Sequence, residues 1–244
     1  MKLFHQRTAA LARKELFSYL NAPAFYGVVV FFLVFCSVFL FYFQRFFSMN
    51  TASLRSYFGA FPLVYIIVIP ALTMKSWAEE RKTGSIEILL TMPFSEWDLV
   101  LGKFFSILAM FGMMLALTIP LPLSLLRLGE FDGGMIVCEY IGAFLMGASA
   151  IALGLLMSSL SKNQAGSFLG CVALLLVVML IEQLMYSFDL PAWLTGIISF
   201  VSLSFHFESF SKGLIDTRDL AYYILSTALF LYLNTQVILY RRWS

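Results

Sequence analysis

Six stretches of this sequence are each about as long as a membrane-crossing helix and contain no charged side chain. A helix needs roughly 20 predominantly apolar residues to cross a hydrocarbon core about 30 Å thick. The chain is 61% hydrophobic and 12% charged, whereas soluble domains are about 45–50% apolar and about 25% charged. We therefore predict a membrane protein. This excludes a cytosolic enzyme and a secreted disulfide scaffold, and it disfavours a free-standing nucleic-acid binder.

The predicted fold is all-α, with one transmembrane domain over residues 1–244 and six membrane spans. These spans cover residues 22–43, 56–74, 104–126, 140–161, 163–181 and 220–240. As drawn, they contain no Asp, Glu, Lys, Arg or His, the residues that usually mark ion pathways in membranes. The outer loop 182–219 holds a seventh charge-free stretch, 190–207, interrupted by Pro191, Gly196 and serines. We interpret that stretch as a re-entrant or lateral element that does not cross.

The distribution of Lys and Arg predicts the orientation. With six spans, 11 of the 16 Lys and Arg residues fall on the side that carries both termini. Because the cytoplasmic side of a membrane protein carries the excess of these residues, both termini are predicted to be cytoplasmic. The first apolar stretch is far longer than the apolar region of a signal peptide, so we expect it to remain attached.

Residues 1–20 are predicted to form a basic helix ahead of the first span. Leu3, Phe4 and Leu11 share a helix face with Arg7 and Lys14, so the helix is poorly amphipathic. Two interpretations remain open. One is a juxtamembrane basic segment held by anionic lipid; the other is an interfacial elbow helix whose cations reach the headgroups.

Several catalytic and binding motifs are absent from the sequence. There is no G-x-x-x-x-G-K-[ST] phosphate loop, no H-E-x-x-H and no Cys/His cluster with metal-ligand spacing. The three cysteines lie in or beside apolar stretches, which favours packing over a disulfide or a metal site. We therefore predict that the chain is not an enzyme and holds neither a cofactor nor a metal.

The segment 75–103 is the largest cytoplasmic connection in this topology. Gly84 is expected to end a helix that continues from the second span, and Ser95 with Asp98 forms a capping box for the next helix. Between them, Ile86, Leu89 and Leu90 have the spacing of one face of a short helix. That apolar face either rests on the membrane or on its own stems, or it enters a groove on a partner protein.

Two segments carry a resemblance to a known family. The run from Glu79 to Pro93, followed by Gly102 and Lys103, resembles the loop between the second and third spans of ABC-2 type transporter permeases. Within that family it is most similar to the gliding-motility and nitrous-oxide-reductase-maturation branches. The segment from Ser204 to Tyr223 resembles the sequence by which that branch enters its last span.

The resemblance implies a bacterial inner-membrane permease whose loop carries a coupling helix seated in a cleft on a cytoplasmic ABC ATPase. By position, it assigns ATPase coupling to Glu79, Glu80, Arg81, Gly84, Ile86, Glu87, Leu89 and Leu90. It also implies a dimer of permeases, expected to be a homodimer, with two ATPase copies that bind ATP and Mg²⁺. Export is the expected direction of transport.

The outer loop before the last span supplies a second set of candidates. They form a predicted outer gate of His206, Glu208, Asp216, Arg218 and Asp219. The alternative is a capping loop with solvated charges, in which Asp216 and Asp219 cap the last helix. We prefer such capping to a metal site, because His206 with Glu208 is a weak ligand pair.

Small residues at helical spacing line the fourth and fifth spans, including Gly147, Gly154, Gly166 and Gly170. Such residues permit close helix contact, either within one protomer or at a dimer seam of the fifth span. Two functions from other classes remain as alternatives to the ATP-driven permease. One is a mechanotransmitter that relays ATPase motion to envelope proteins without transport; the other is an ion-coupled carrier or channel.

Overall fold

A computed structural model of the chain describes residues 2–44, 54–87, 94–126, 131–187 and 191–242. All regular structure within these ranges is helical. We number the helices α1 Lys2–Leu20, α2 Pro23–Val38 (extended by a π-helical turn, Phe39–Phe43), α3 Arg55–Phe58, α4 Phe61–Thr73, α5 Ala78–Thr83, α6 Glu96–Ala116, α7 Pro120–Leu125, α8 Gly133–Leu160, α9 Gln164–Ser187, α10 Ala192–Val201, α11 Leu203–Ser211 and α12 Thr217–Arg242.

Six helical segments of the described chain are long and apolar enough to cross a membrane, which confirms the predicted number. They are Pro23–Phe43, Arg55–Thr83, Glu96–Leu125, Gly133–Leu160, Gln164–Ile181 and Thr217–Tyr240. The third and fourth segments begin earlier than the spans drawn from the sequence, so that Lys103 and Glu139 lie inside α6 and α8. Both side chains are buried. The spans therefore lack ionisable residues only within the shorter bounds that were drawn from the sequence, and not within the longer helices of the structure.

Helix α8 occupies the centre of the bundle, where it packs against α4, α6, α9, α11 and α12. Its small residues make this close packing possible. A Cβ atom added at Gly147 would lie 2.2 Å from the ring of Phe111, and one at Gly154 would lie 2.5 Å from the hydroxyl of Thr73. The small-residue face of the fourth span is thus packing within one protomer, the first of the two interpretations given above.

Replacing Gly147 with valine is expected to lower the free energy of unfolding by about 1–3 kcal/mol. The added methyl groups must displace the Phe111 ring from a fully buried position, and overpacking of this kind costs that much. Thermal unfolding in detergent measures the effect. The control is Gly27→Val, since a Cβ atom at Gly27 meets nothing within 4 Å. Equal midpoints for the two variants would contradict the proposed packing.

Helix α1 lies along α6, a contact that neither sequence interpretation of residues 1–20 included. Its face toward the protein carries Thr8, Leu11, Glu15 and Tyr19, residues three or four positions apart. A Cβ atom at Gly102 would lie 2.6 Å from the Leu11 side chain, so this glycine lets α1 approach α6 closely. The face escaped sequence analysis because Thr8 and Glu15 are polar and lower the amphipathic signal.

Two short helices, α10 and α11, occupy the stretch predicted to be re-entrant or lateral. Ser202 separates them, with an extended backbone and a side chain that caps α11 by accepting a hydrogen bond from Phe205 N. With 10 and 9 residues, they are about 15 and 14 Å long. Neither helix is long enough to cross a hydrocarbon core.

Candidate functional site

The predicted coupling residues that the structure describes lie where α1, α5, the first turns of α6 and the last turn of α8 meet; we call this region the α1 end of the bundle. Helix α5 carries Glu79, Glu80 and Arg81, and Gly84 ends it in a left-handed conformation with a φ of 73°. Glycine adopts this conformation without steric cost, which makes it the usual residue just after a helix. The prediction that Gly84 breaks the helix is confirmed.

Helix α5 is fastened to α8 at both of its ends. At the start of α5, the Ser158 hydroxyl accepts hydrogen bonds from Trp77 N and Ala78 N at 3.1 and 3.2 Å. Near its end, Arg81 donates to three successive carbonyls of the α8 terminus, those of Ser159, Leu160 and Ser161. These contacts satisfy backbone groups that helix ends leave unpaired, and a cation is favourable at a helix C-terminus.

Lys103 connects three elements at the α1 end. Its ammonium lies 2.6 Å from Glu80 Oε1, 2.9 Å from the Ser76 carbonyl oxygen and 3.4 Å from Glu15 Oε1. An ammonium group has three hydrogens to donate, so these acceptors match its full capacity. The side chain is only 2% exposed and also faces the Trp77 ring at 4.9 Å. A charge this deeply buried requires such partners.

A second polar contact fixes α1 against the start of α6. Thr8 donates a hydrogen bond of 2.8 Å to Asp98 Oδ1. Asp98 also accepts from the backbone and side chain of Ser95 through its other oxygen, while the Ser95 hydroxyl accepts from Asp98 N. The predicted capping box is therefore confirmed, and the same aspartate serves as the anchor for α1.

Other predicted coupling residues have a less defined setting. A short helical turn follows Gly84 at residues 85–87, where Ile86 is half-buried against the hydrophobic core and Glu87 is exposed. Glu79 is exposed on α5. Leu89 and Leu90 lie outside the described residues. Glu80 and Arg81 thus bind residues of other helices, whereas the Glu87 side chain is exposed at the surface.

The predicted outer-gate residues lie at the opposite end of the bundle, where α3, α11 and the first turns of α8 and α12 meet; we call it the α11 end. His206 Nδ1 is 2.6 Å from Asp219 Oδ1, and the Tyr222 ring stacks on the imidazole at 3.8 Å. Asp216 Oδ1 accepts from Arg218 N at 2.9 Å. Asp216 therefore caps α12 as predicted, whereas Asp219 pairs with His206.

Glu208 has other partners at the α11 end. Its carboxylate lies 3.0 Å from Lys212 and 3.6 Å from Arg55, so the structure does not pair it with His206. Both contacts are substantially exposed, and such ion pairs contribute about 0–1 kcal/mol. Within the described ranges, no three His, Cys, Asp or Glu side chains are grouped so that they could hold a metal ion.

A chain of polar contacts at the same end was not predicted from the sequence. Arg55 Nε donates to Ser211 Oγ at 3.1 Å, and Ser211 Oγ lies 3.5 Å from Glu139 Oε1. Glu139 is buried in the second turn of α8. In the sequence, only the position of Glu139, one residue before the fourth span as drawn, indicated that this carboxylate could be buried at the end of a span. Together, these contacts join the start of the second span to α8 and α11.

Comparison with known proteins gives two findings. The sequence profile of the family described as "ABC-2 family transporter protein" matches residues 42–235. Over 151 residues the chain is 24% identical to "Probable multidrug ABC transporter permease YbhR" of Escherichia coli K12, and equally to that of Escherichia coli O157:H7. The alignment covers 62% of this chain and 40% of YbhR, so the chain spans less than half the length of that relative.

The family profile covers far more than half of the chain and includes the α11 end and all of the α1 end except α1 itself. The helical bundle with six apolar segments agrees with a multi-pass membrane protein. This chain therefore belongs to the ABC-2 family of transporter proteins and is a multi-pass membrane protein.

Proposed function

We propose that the chain is the permease subunit of an ATP-driven exporter in a bacterial inner membrane, with both termini in the cytoplasm. Two copies would assemble with two ABC ATPase subunits, which bind ATP and Mg²⁺. The excess of Lys and Arg on the side of the termini supports this orientation. In this orientation the α1 end faces the cytoplasm, where an ATPase could reach it.

The observation that carries this proposal is the attachment of α5 to α8 and α6, and through α6 to α1. Arg81 binds the end of α8, and Glu80 shares Lys103, a residue of α6, with Glu15 of α1. A displacement of α5 would break its contacts with α8 and with Lys103 unless α8 and α6 moved with it, and Lys103 in turn links α6 to α1. A partner that pushes the segment after Gly84 would therefore move several helices together, including three candidate membrane spans.

Transport is supported over a purely mechanical relay by the name of the relative, which describes YbhR as a probable multidrug permease. Within one protomer the interior is packed with aromatic rings, including Phe32, Phe61, Tyr65 and Phe111, with centroid distances of 5.2–5.8 Å. A transport pathway would therefore lie between two copies. The resemblance to the gliding-motility and nitrous-oxide-reductase-maturation branches remains part of this proposal.

Disruption of the segment after Gly84 tests the coupling role. We expect Glu87→Lys and Leu89→Asp each to weaken association with the ATPase about 30-fold, because hot-spot substitutions at interfaces cost about 2 kcal/mol. Co-purification and the ATPase activity of the complex measure the loss. Lys162→Glu is the control, since Lys162 is exposed between α8 and α9 at the same end.

Unchanged association and ATPase activity in both variants would refute coupling through this segment. Solute uptake by the purified permease in the absence of any ATPase would instead support the ion-coupled carrier. A complex that hydrolyses ATP in proteoliposomes and moves no solute, yet changes its contacts with envelope proteins, would support the relay.

A further inference from the structure

A polar cavity of about 390 Å³ lies at the α1 end, between α1, the turn after α4 and the start of α6. At about 30 Å³ per water molecule, it has room for roughly a dozen waters, far more than a structural water site needs. Six Lys and Glu side chains line it: Lys14, Glu15, Lys75, Glu79, Glu80 and Lys103. The charges of these side chains balance, with three cations and three carboxylates.

The cavity lies at the level where apolar helices begin and end. Ala22, in its wall, immediately precedes α2, which opens the first span. Ser76, also in its wall, is three residues beyond the end of α4. Lys103 is the last charged residue before the apolar run of the third span. In a bilayer, this boundary between charged and apolar sequence is the headgroup region.

Part of the charge around the cavity is already neutralised by the protein. Lys103 is saturated by Glu80, Glu15 and a carbonyl oxygen. The side chains of Lys14, Lys75 and Glu79 make no ion pair with any residue that the structure describes. Glu80 Oε2 is buried, so a ligand in the cavity does not reach it. Two cations, Lys14 and Lys75, and one carboxylate, Glu79, thus remain for a ligand.

The Tyr19 hydroxyl is a neutral hydrogen-bond donor in the wall of the same cavity. Burial, together with the nearby carboxylates of Glu15 and Glu80, raises the pKa of its phenol well above the usual range. Its hydroxyl therefore keeps its proton at any physiological pH, and it can donate to an anionic oxygen without adding charge.

We propose that this cavity binds the headgroup of a phospholipid that carries a phosphoethanolamine. The phosphodiester is placed between Lys14 and Lys75, and the primary ammonium lies against the carboxylate of Glu79. A phosphoglycerol headgroup offers no cation to this carboxylate. A phosphocholine headgroup offers a cation without N–H groups, so it cannot donate a hydrogen bond. Lipid binding at this site requires no ATPase and goes beyond the proposed function.

Lipid retention by the purified permease tests this site. The full chain is placed in nanodiscs with equal amounts of phosphatidylethanolamine, phosphatidylcholine and phosphatidylglycerol of identical acyl chains, and retained lipid is counted by native mass spectrometry. We expect phosphatidylethanolamine to be retained about tenfold over either competitor. Glu79→Gln should reduce that preference about tenfold, whereas Lys75→Gln should reduce the retention of all three lipids about tenfold, the effect of one lost charge-assisted contact.

One control variant and one additional cavity variant complete the experiment. Lys162→Gln removes an exposed cation at the same end but outside the cavity and should retain the preference. Lys14→Gln alters an exposed cavity residue, so it gives a second test of the phosphate contact if Lys75→Gln folds poorly. Equal retention of the three lipids, or a preference for phosphatidylglycerol, would overturn the proposal. Binding of soluble phosphoethanolamine with no retention of any lipid would overturn the assignment to a membrane lipid.

Discussion

Replacing Lys103 with methionine is expected to lower the free energy of unfolding by about 3–5 kcal/mol, the usual effect of removing one partner from a buried ion pair. The change leaves Glu80 and Glu15 without their cation, and both carboxylates are mostly buried. It also leaves the Ser76 carbonyl without its donor. For a chain of this size, the thermal unfolding midpoint in detergent should fall by about 10 °C.

Removing the Lys103 charge together with both carboxylate charges tests whether unpaired carboxylates cause the loss of stability. In a variant that combines Lys103→Met with Glu15→Gln and Glu80→Gln, no buried charge lacks a partner, so most of the lost stability should return. Lys162→Met is the control for loss of an exposed cation at the same end. A triple variant as unstable as Lys103→Met would show that the carboxylates are not the reason.

The same triple variant bears on the proposed coupling. It should fold and bind the ATPase, since the segment after Gly84 is intact, yet α5 would no longer hold α1 and α6 through charge. Loss of ATP-dependent transport with retained association is the expected result. If transport is unaffected, the ion pairs serve stability alone.

Local and periodic features of the fold were predictable from the sequence. The number of charge-free stretches predicted the number of spans. This works because each spanning helix must by itself avoid the free-energy cost of placing a charge in lipid. The Ser95–Asp98 capping box and the cap at Asp216 also follow from residues a few positions apart. In each of these features, one segment of chain contains all the interacting groups.

Contacts between distant segments were not predictable in the same way. Lys103 lies 88 residues from Glu15 and 23 from Glu80, and a single sequence carries no sign that they meet. The predicted outer gate contained both Glu208 and Asp219, but the sequence does not indicate that His206 pairs with Asp219, 13 residues away on the following helix. In a helical bundle, the partners of a polar side chain depend on which helices pack against each other. That packing depends on the whole hydrophobic core.

The pairing of His206 with Asp219 gives the second large expected effect. His206→Phe keeps a ring over Tyr222 but leaves the Asp219 carboxylate, about one tenth exposed, without its partner. We expect this change to cost about 3 kcal/mol of the free energy of unfolding, as for other broken buried pairs. Helix α11 should also loosen from α12, which limited proteolysis between α10 and α12 would detect.

A double-mutant cycle isolates the pair from the loss of burial. His206→Phe combined with Asp219→Leu removes both partners, and its cost should be smaller than the sum of the single variants by about 2 kcal/mol. Arg218→Gln is the matched control, because Arg218 adjoins Asp219 but its side chain is exposed. Strict additivity of the two changes would mean that His206 and Asp219 do not stabilise each other. The gate hypothesis would then lose its structural basis at the α11 end, since the other predicted residues there are a helix cap and exposed ion pairs.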